Sequence, residues 1–391
     1  MTGTQGPKVV VTGATGNVGT SVTAALAARE TIGSVIGIAR RPTDWRCPKT
    51  DFVVADVARD DLHELLRGAD AVVHLAWLFQ PTHKPEVTWR NNVLGSIRVF
   101  ETAAAAGVPA VVHASSVGAY SPGPQHERID ERWPTHGWPG AAYPREKAYL
   151  ERWLDAFELR HPDLRVVRMR PGFIFKRESA TAQRRLFAGP FVPGRLVRAL
   201  PVVPRTAGLR MQVLHTEDAA DAYVRAVLRP VRGAFNLAAE PPVDTEVLAE
   251  ILGARTVPVP AAALHAAVAV AWHARLAPAS PGLLDTVLRL PLMDCTRART
   301  DLEWIPPVLA PGHSRGVPDR TPRRRGTADA APDGGQHGRP TARGRHRHGT
   351  APLTIGSDGT PASRTGGPDR VDDRERTVHQ WAPRRSTTPS G

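Results

Sequence analysis

Tyr143 and Lys147 stand four residues apart at the start of an expected helix, which puts both side chains on one face. The chain holds four Tyr and five Lys in 391 residues, so chance would supply only about 0.05 such pairs. A phenol beside an ammonium is a proton-transfer pair. Tyrosine ordinarily titrates at about 10, too high for work at neutral pH, and a neighbouring cation favours the phenolate. Upstream, Ser116 closes an expected strand in ASSVGAY. At the other end of the chain Gly13, Gly16 and Gly19 form GxxGxxG in KVVVTGATGNVG. Glycine lets the backbone approach a pyrophosphate, and the free N–H groups of a first helical turn point at such an anion. The alternative for a glycine triplet alone is a flexible loop, but here a strand precedes it and a helix follows.

Those residues need a scaffold, and the hydrophobic pattern predicts one. Short β-branched runs at Lys8–Val11, Ser34–Ala39, Asp51–Asp56, Ala71–Ala76, Ala110–Ser115 and Leu164–Met169 read as buried strands. Between them, Val18–Arg29, a short stretch through Leu62, Leu65 and Leu66, Pro85–Ala106 and Tyr143–Leu159 read as helices. This alternation predicts an α/β fold, a Rossmann-type doubly wound parallel sheet with helices on both faces. The regular alternation stops at Pro171. We expect a dinucleotide-binding domain over 1–172, a small substrate-binding lobe over 173–312 with strands returning to the main sheet, and a disordered basic tail over 313–391. In the lobe, Gln212–Leu214, Ala234–Leu237 and Arg255–Val259 read as strands and Thr216–Leu228 and Val243–Leu252 as helices. Arg177–Thr206 is expected to fold over the sheet. Ala261–Ala277, interrupted by His265, His273 and Arg275, is too short and polar to span a bilayer and reads as a packed helix.

The formal net charge of +13 suggests a nucleic-acid protein, but its distribution argues otherwise. From His313 onward there are 15 Arg and no Lys against 7 Asp and 1 Glu, so over half of the excess sits in the last fifth of the chain. That segment has almost no large apolar residues and no interleaved aromatics beyond Trp381. Either a disordered tail or out-of-frame translation of a GC-rich gene would have this composition. The two cysteines, Cys47 and Cys295, belong to no metal-spaced group and fit a reducing compartment. No basic-then-apolar leader precedes the first strand, so a cytoplasmic protein is expected, with neither membrane nor specific nucleic acid as partner.

Taken together, these motifs resemble the extended short-chain dehydrogenase/reductase family, the NAD-dependent epimerase/dehydratase group, over roughly residues 8 to 308. The resemblance rests on TGATGNVG (Thr12–Gly19), Asp56, HLA (His74–Ala76), NNVLG (Asn91–Gly95), SSVGAY (Ser115–Tyr120), YPREK (Tyr143–Lys147) and RPG (Arg170–Gly172). Later landmarks are VLHTEDAADAY (Val213–Tyr223), GAFNLA (Gly233–Ala238) and RARTDLEWIP (Arg297–Pro306). It implies a catalytic set of Tyr143 as acid/base, Lys147 on the nicotinamide ribose, Ser116 on the substrate oxygen and Asn92 fixing the active-site helix. An oxidised nicotinamide and Lys147 would together lower Tyr143. Gly13, Thr15, Gly16, Asn17, Val18 and Gly19 would hold the dinucleotide's phosphates, Asp56 and Val57 its adenine, with Leu75, Ala76 and Pro171 along its path. The family's often-used helices at Asn91–Ala106 and Tyr143–Leu159 allow a homodimer. No metal is expected. His74 reads as a packed strand residue, and His215, Glu217 and Asp218 as a structural turn. Arg297 and Arg299 are expected to pair with surface carboxylates.

Departures from the family pattern narrow the expected chemistry. Val117 and Gly118 follow Ser116 where sugar dehydratases have acids, and Phe173 stands where nucleotide-sugar enzymes usually have Asn. Trp77, Phe79, Trp133, Trp138, Phe173 and Phe175 fall in segments expected near the pocket. An apolar or aromatic carbonyl or alcohol is therefore the expected small-molecule substrate. Arg40 and Arg41 follow the second strand where NAD-preferring folds carry a carboxylate, so NADP is the expected cofactor ahead of NAD. A sugar epimerase and a non-catalytic dinucleotide sensor are the competing readings. Sensors typically lose the Tyr/Lys pair, which is intact here.

Overall fold

A β-branched run with no polar interruption belongs in the middle of a parallel sheet, covered on both faces. β1 (Lys8–Thr12) is such a run, and it sits near the centre of a seven-stranded, all-parallel sheet. The computed structural model describes residues 6–80, 83–176 and 202–305, without the side chains of 251 and 252. The expected tail, 313–391, lies outside the described residues, as does most of the expected Arg177–Thr206 flap.

From β1 the chain runs through α1 (Asn17–Ala27), β2 (Ser34–Ala39), β3 (Thr50–Val54), α2 (His63–Leu66) and β4 (Ala71–His74). It continues through α3 (Pro85–Thr88), α4 (Gly95–Ala105), β5 (Ala110–Ala114), β6 (Arg128–Ile129), α5 (Ala142–Arg160), β7 (Arg165–Pro171) and β8 (Phe173–Phe175). The later part holds β9 (Val202–Arg205), β10 (Val213–His215), α6 (Thr216–Leu228), β11 (Gly233–Leu237), α7 (Thr245–Leu252) and β12 (Arg255–Pro258). It ends with α8 (Ala261–His273), α9 (Pro281–Val287), β13 (Leu292–Met293) and α10 (Thr296–Asp301). The sheet order is β11-β7-β5-β4-β1-β2-β3.

This order reverses direction at β1 and β4. Parallel sheets bind ligands outside the carboxyl ends of their strands at such a switch point. The loops after β1, β4, β5 and β7 therefore converge on one crevice, and they carry Gly13, Leu75, Ser116 and Gly172 respectively. One face of the sheet packs Val9, Val11, Val73, Val112 and Val167 under α1 and α6, where Leu26 and Tyr223 are fully buried. The other packs Val10, Val72, Val111 and Val166 under α4 and α5, through Phe100, Leu150, Leu154 and Phe157. The RARTDLEWIP landmark closes the first face, with buried Trp304 donating from Nε1 to Asp218 O at 2.9 Å.

Two expectations are corrected. Pro85–Ala106 is not one regular helix, because a wider π-type turn spans Trp89–Leu94 between α3 and α4. Such bulges turn one side chain out of the ordinary helical register, here Asn92 toward the crevice. Nor is α8 a core helix: it packs beside α9 through one half-buried face that includes Leu264, Val268 and Trp272. None of its side chains is buried, and Val270 is 70% exposed. Its sequence is mostly Ala, which gives a neighbour little to grip. Its contacts include a His265–Asp285 pair at 3.3 Å and a Trp272–His83 stack. Among the described residues, no helix is long and apolar enough to cross a membrane.

Candidate active site

Gly13 follows β1 with φ +72°, a left-handed conformation that glycine adopts without strain. A Cβ there would lie 2.8 Å from Ala76 N, and one on Gly19 would lie 2.1 Å from Gly13 O. The turn is thus closed tightly against α1, which starts after Gly16 with no capping side chain and no acid in its first turn. Its first N–H groups are left for an anion, and the small side chains at the turn leave room for a diphosphate.

Two adjoining cavities meet at Gly13, Thr15, Gly16, Leu75 and Trp77. The smaller, about 300 Å³, runs between the ends of β2 and β4 and is lined also by Arg40, Arg41, Val57, Ala76 and Asn92. It contains no carboxylate among its described lining residues. The larger, about 620 Å³, is lined by Asn17, Val18, Gly19, Ser116, Tyr143, Lys147 and Pro171. Most of its remaining wall is apolar, with Phe79, Phe173, Ile174 and Phe175 joined by Leu283, Val287 and Leu290 from α9 and beyond, and Ser115, Tyr223 and Thr286 as the polar exceptions.

A chain of hydrogen bonds fixes the floor between the cavities. His74 is fully buried, and burial followed by the charge of Lys147 brings it down to about 3, so the ring is neutral. Ser96 Oγ donates to Asn92 O and so accepts from His74 Nε2 at 2.8 Å. That leaves His74 Nδ1 to accept from Thr12 Oγ1 at 2.7 Å. Asn92 in turn holds both Leu78 N (2.7 Å) and Leu78 O (2.8 Å) and donates to Glu146 at 2.7 Å. Thr88 donates to the other Glu146 oxygen at 2.6 Å. Asn92 therefore ties the loop after β4 to α5, the helix carrying Tyr143 and Lys147.

Tyr143 packs against Phe79 and Trp77, with the Ser116 hydroxyl near enough to act on its phenol. Burial pushes its phenol above the ordinary value, the Ser116 hydroxyl pulls it back, and the charge of Glu146 pushes it up again. This corrects the expected lowering by Lys147, whose Nζ lies 6.0 Å from the Tyr143 ring centroid: burial is the stronger effect. Lys147 is itself buried, and burial brings it down to about 7 against the attraction of Glu146 and Glu151.

Behind the site, Glu151 takes a two-pronged ion pair from Arg170 (2.8 Å from both Nε and Nη2), Arg168 at 3.2 Å and Ser115 Oγ at 2.5 Å. Arg170 also donates to Tyr120 Oη, which donates to Asn236 at 2.6 Å. This network joins the ends of β5, β7 and β11 to α5.

Other expected residues fall elsewhere. Asp56 does not line the smaller cavity; its carboxylate accepts from Ala58 N at 3.0 Å, while Ala55 and Val57 line the wall. Trp133 and Trp138 do not line the larger one; Trp133 donates to Ser121 O and Trp138 lies under Arg289. Arg297 pairs with Asp301 and also bonds Ala234 O and Arg232 O. Among the described residues no three His, Cys, Asp or Glu side chains are grouped to hold a metal. Glu146, Glu151 and the α9 side chains were missed. Glu146 could have been found within YPREK, but nothing local links Leu283 or Val287 to a site 140 residues upstream.

A family model described as "NAD dependent epimerase/dehydratase family" matches residues 9–238. An uncharacterized protein of Mycobacterium tuberculosis is 30% identical over 251 residues, covering 60% of this chain and 63% of that protein. The chain thus spans under two thirds of the length of the curated relatives it matches first. Among solved structures, UDP-N-acetylglucosamine 4-epimerase from Methanobrevibacter ruminantium is 18% identical, with a TM-score of 0.58 over 78% of this chain and 94% of that one. UDP-glucose 4-epimerase from Thermus thermophilus, in complex with NAD, is 22% identical, with a TM-score of 0.56 over 76% and 94%. Both likenesses concern the fold.

Proposed function

Because the chain belongs to the NAD-dependent epimerase/dehydratase family, we propose that it is an NAD(P)-dependent oxidoreductase, which transfers hydride between nicotinamide and a small apolar ketone or secondary alcohol. The observation that carries this reading is that Ser116, Tyr143 and Lys147 together line the wall of a largely apolar cavity that opens onto the glycine turn. A bound nicotinamide would supply or accept the hydride. Gly13, Gly16 and the first turn of α1 would hold the diphosphate. In the reducing direction Tyr143, kept as a phenol by its burial, gives its proton to the carbonyl oxygen, and Ser116 orients that oxygen. Lys147 offers a cation to the ribose and to the developing alkoxide.

Lys147 is the only charged side chain among the described lining residues of the larger cavity. The apolar side chains that make up most of that described wall favour an uncharged substrate over a nucleotide sugar. The intact Tyr143–Lys147 pair favours an enzyme over a dinucleotide sensor.

For the cofactor, Arg40 and Arg41 beside a carboxylate-free cavity favour NADP, since guanidinium groups can grip a 2′-phosphate. Replacing both by Ala should weaken NADPH binding about 10- to 100-fold, the worth of one or two charged hydrogen bonds, and leave NADH within a few-fold. Tryptophan-fluorescence titration reads both constants. Equal losses for the two dinucleotides, or tighter NADH binding by the wild type, would contradict the preference.

A further inference from the structure

We propose that Trp77 is a positioning residue for Lys147: its indole face holds the ammonium as a cation and leaves one N–H directed to the larger cavity, a role that rests on the oxidoreductase reading above. Lys147 Nζ lies 3.3 Å from the Trp77 ring centroid and donates to Ala114 O at 2.6 Å. Two of its three donor directions are thus taken by fixed groups. Trp77 lines both cavities and meets Tyr143 edge-on, with centroids 5.9 Å apart. Its Nε1 is buried with no hydrogen-bond partner among the described residues, so no bond of its own explains the ring's pose.

The usual counter-ions are engaged elsewhere. On α5, Glu146 is held by Thr88 and Asn92, and Glu151 by Ser115, Arg168 and Arg170; both act on Lys147 only as more distant charges. His74 on β4 and His113 on β5 are neutral, held there by burial and by Lys147 itself. Tyr143 is a phenol. With Lys147 brought down to about 7 by burial, its charge at neutral pH hangs on small effects, and a π face supplies one of suitable size.

The full-length protein carries five lysines, few enough to follow by NMR with ¹³Cε-lysine, and Lys147→Arg identifies the signal. In the wild type that signal should be displaced by the indole ring current and titrate near neutral pH. Trp77→Phe should lower the midpoint by about half a unit and Trp77→Leu by about one unit. If Trp77 merely covered Lys147, the smaller Leu would admit water and raise the midpoint, and a raised or unchanged value overturns the proposal. So does the absence of a ring-current shift in the wild type, which needs no variant to fold. These readings require no substrate. Were they obtained from a protein that reduces no ketone, the seat of Lys147 would stand and the oxidoreductase reading would fall.

Discussion

Tyr143→Phe should cut turnover about 10²- to 10⁴-fold while leaving dinucleotide affinity within a few-fold. The substitution removes one hydroxyl and keeps the ring, so its packing against Trp77 and Phe79 survives. What is lost is the phenolic hydroxyl, the proton donor. The remaining cradle, Gly13 through Gly19, is untouched, and an equilibrium titration should return almost the wild-type constant. The raised phenol adds a pH signature. Reduction needs the protonated phenol and the Lys147 cation, so it should be fastest below neutral pH and decline as Lys147 loses its proton, whereas alcohol oxidation needs the phenolate and should gain as pH rises. A Tyr143→Phe enzyme that keeps its turnover, or an oxidation rate that falls with rising pH, would contradict the assigned role.

Arg170→Ala should destabilise the fold by about 3–5 kcal/mol, enough to abolish much of a typical domain's stability. The guanidinium and Glu151 are both almost wholly buried, and removing one leaves the other's charge without its main partner. The cost falls on the joint between β5, β7 and α5 that carries the site, so losses of activity should follow unfolding. Burial alone would raise Glu151, but the Arg170 bonds and charge, Arg168 and Ser115 outweigh it and bring the carboxyl down to about 2. An unfolded Glu titrates at about 4.3, so this stabilisation is complete above that value and drains away as pH falls toward 2. Urea melts of wild type and Glu151→Gln across that range should converge toward low pH. If Arg170→Ala melted like the wild type, the network would have no structural weight.

Much of the fold was legible because its signals are local. Ser34–Ala39 and Thr216–Leu228 form over the expected spans, and the glycine turn sits where the strand-to-helix pattern placed it. The contents of the crevice were legible only in part. Ser116, Tyr143 and Lys147 do meet, since strand ends in a parallel sheet converge whatever their separation in sequence. Asp56 has one carboxylate oxygen on the backbone N–H of Ala58, because a carboxylate beside a turn finds the nearest donor, and a sequence does not show such local bonds. The sign of the Tyr143 shift could not be read either: a sequence gives the neighbouring charge but not the depth of burial. Trp77 was foreseen as a pocket aromatic, yet its seat under Lys147 depends on a loop pinned by Asn92, and that contact exists only in three dimensions.

The central claim is net hydride transfer, and stoichiometry tests it most directly. Purified protein mixed with NADPH and a panel of aryl and alkyl ketones should consume one NADPH for each alcohol formed, followed by nicotinamide absorbance and product chromatography. An isomerised product with no net change in the cofactor, or NADPH that binds tightly and is never consumed across the panel, would contradict it.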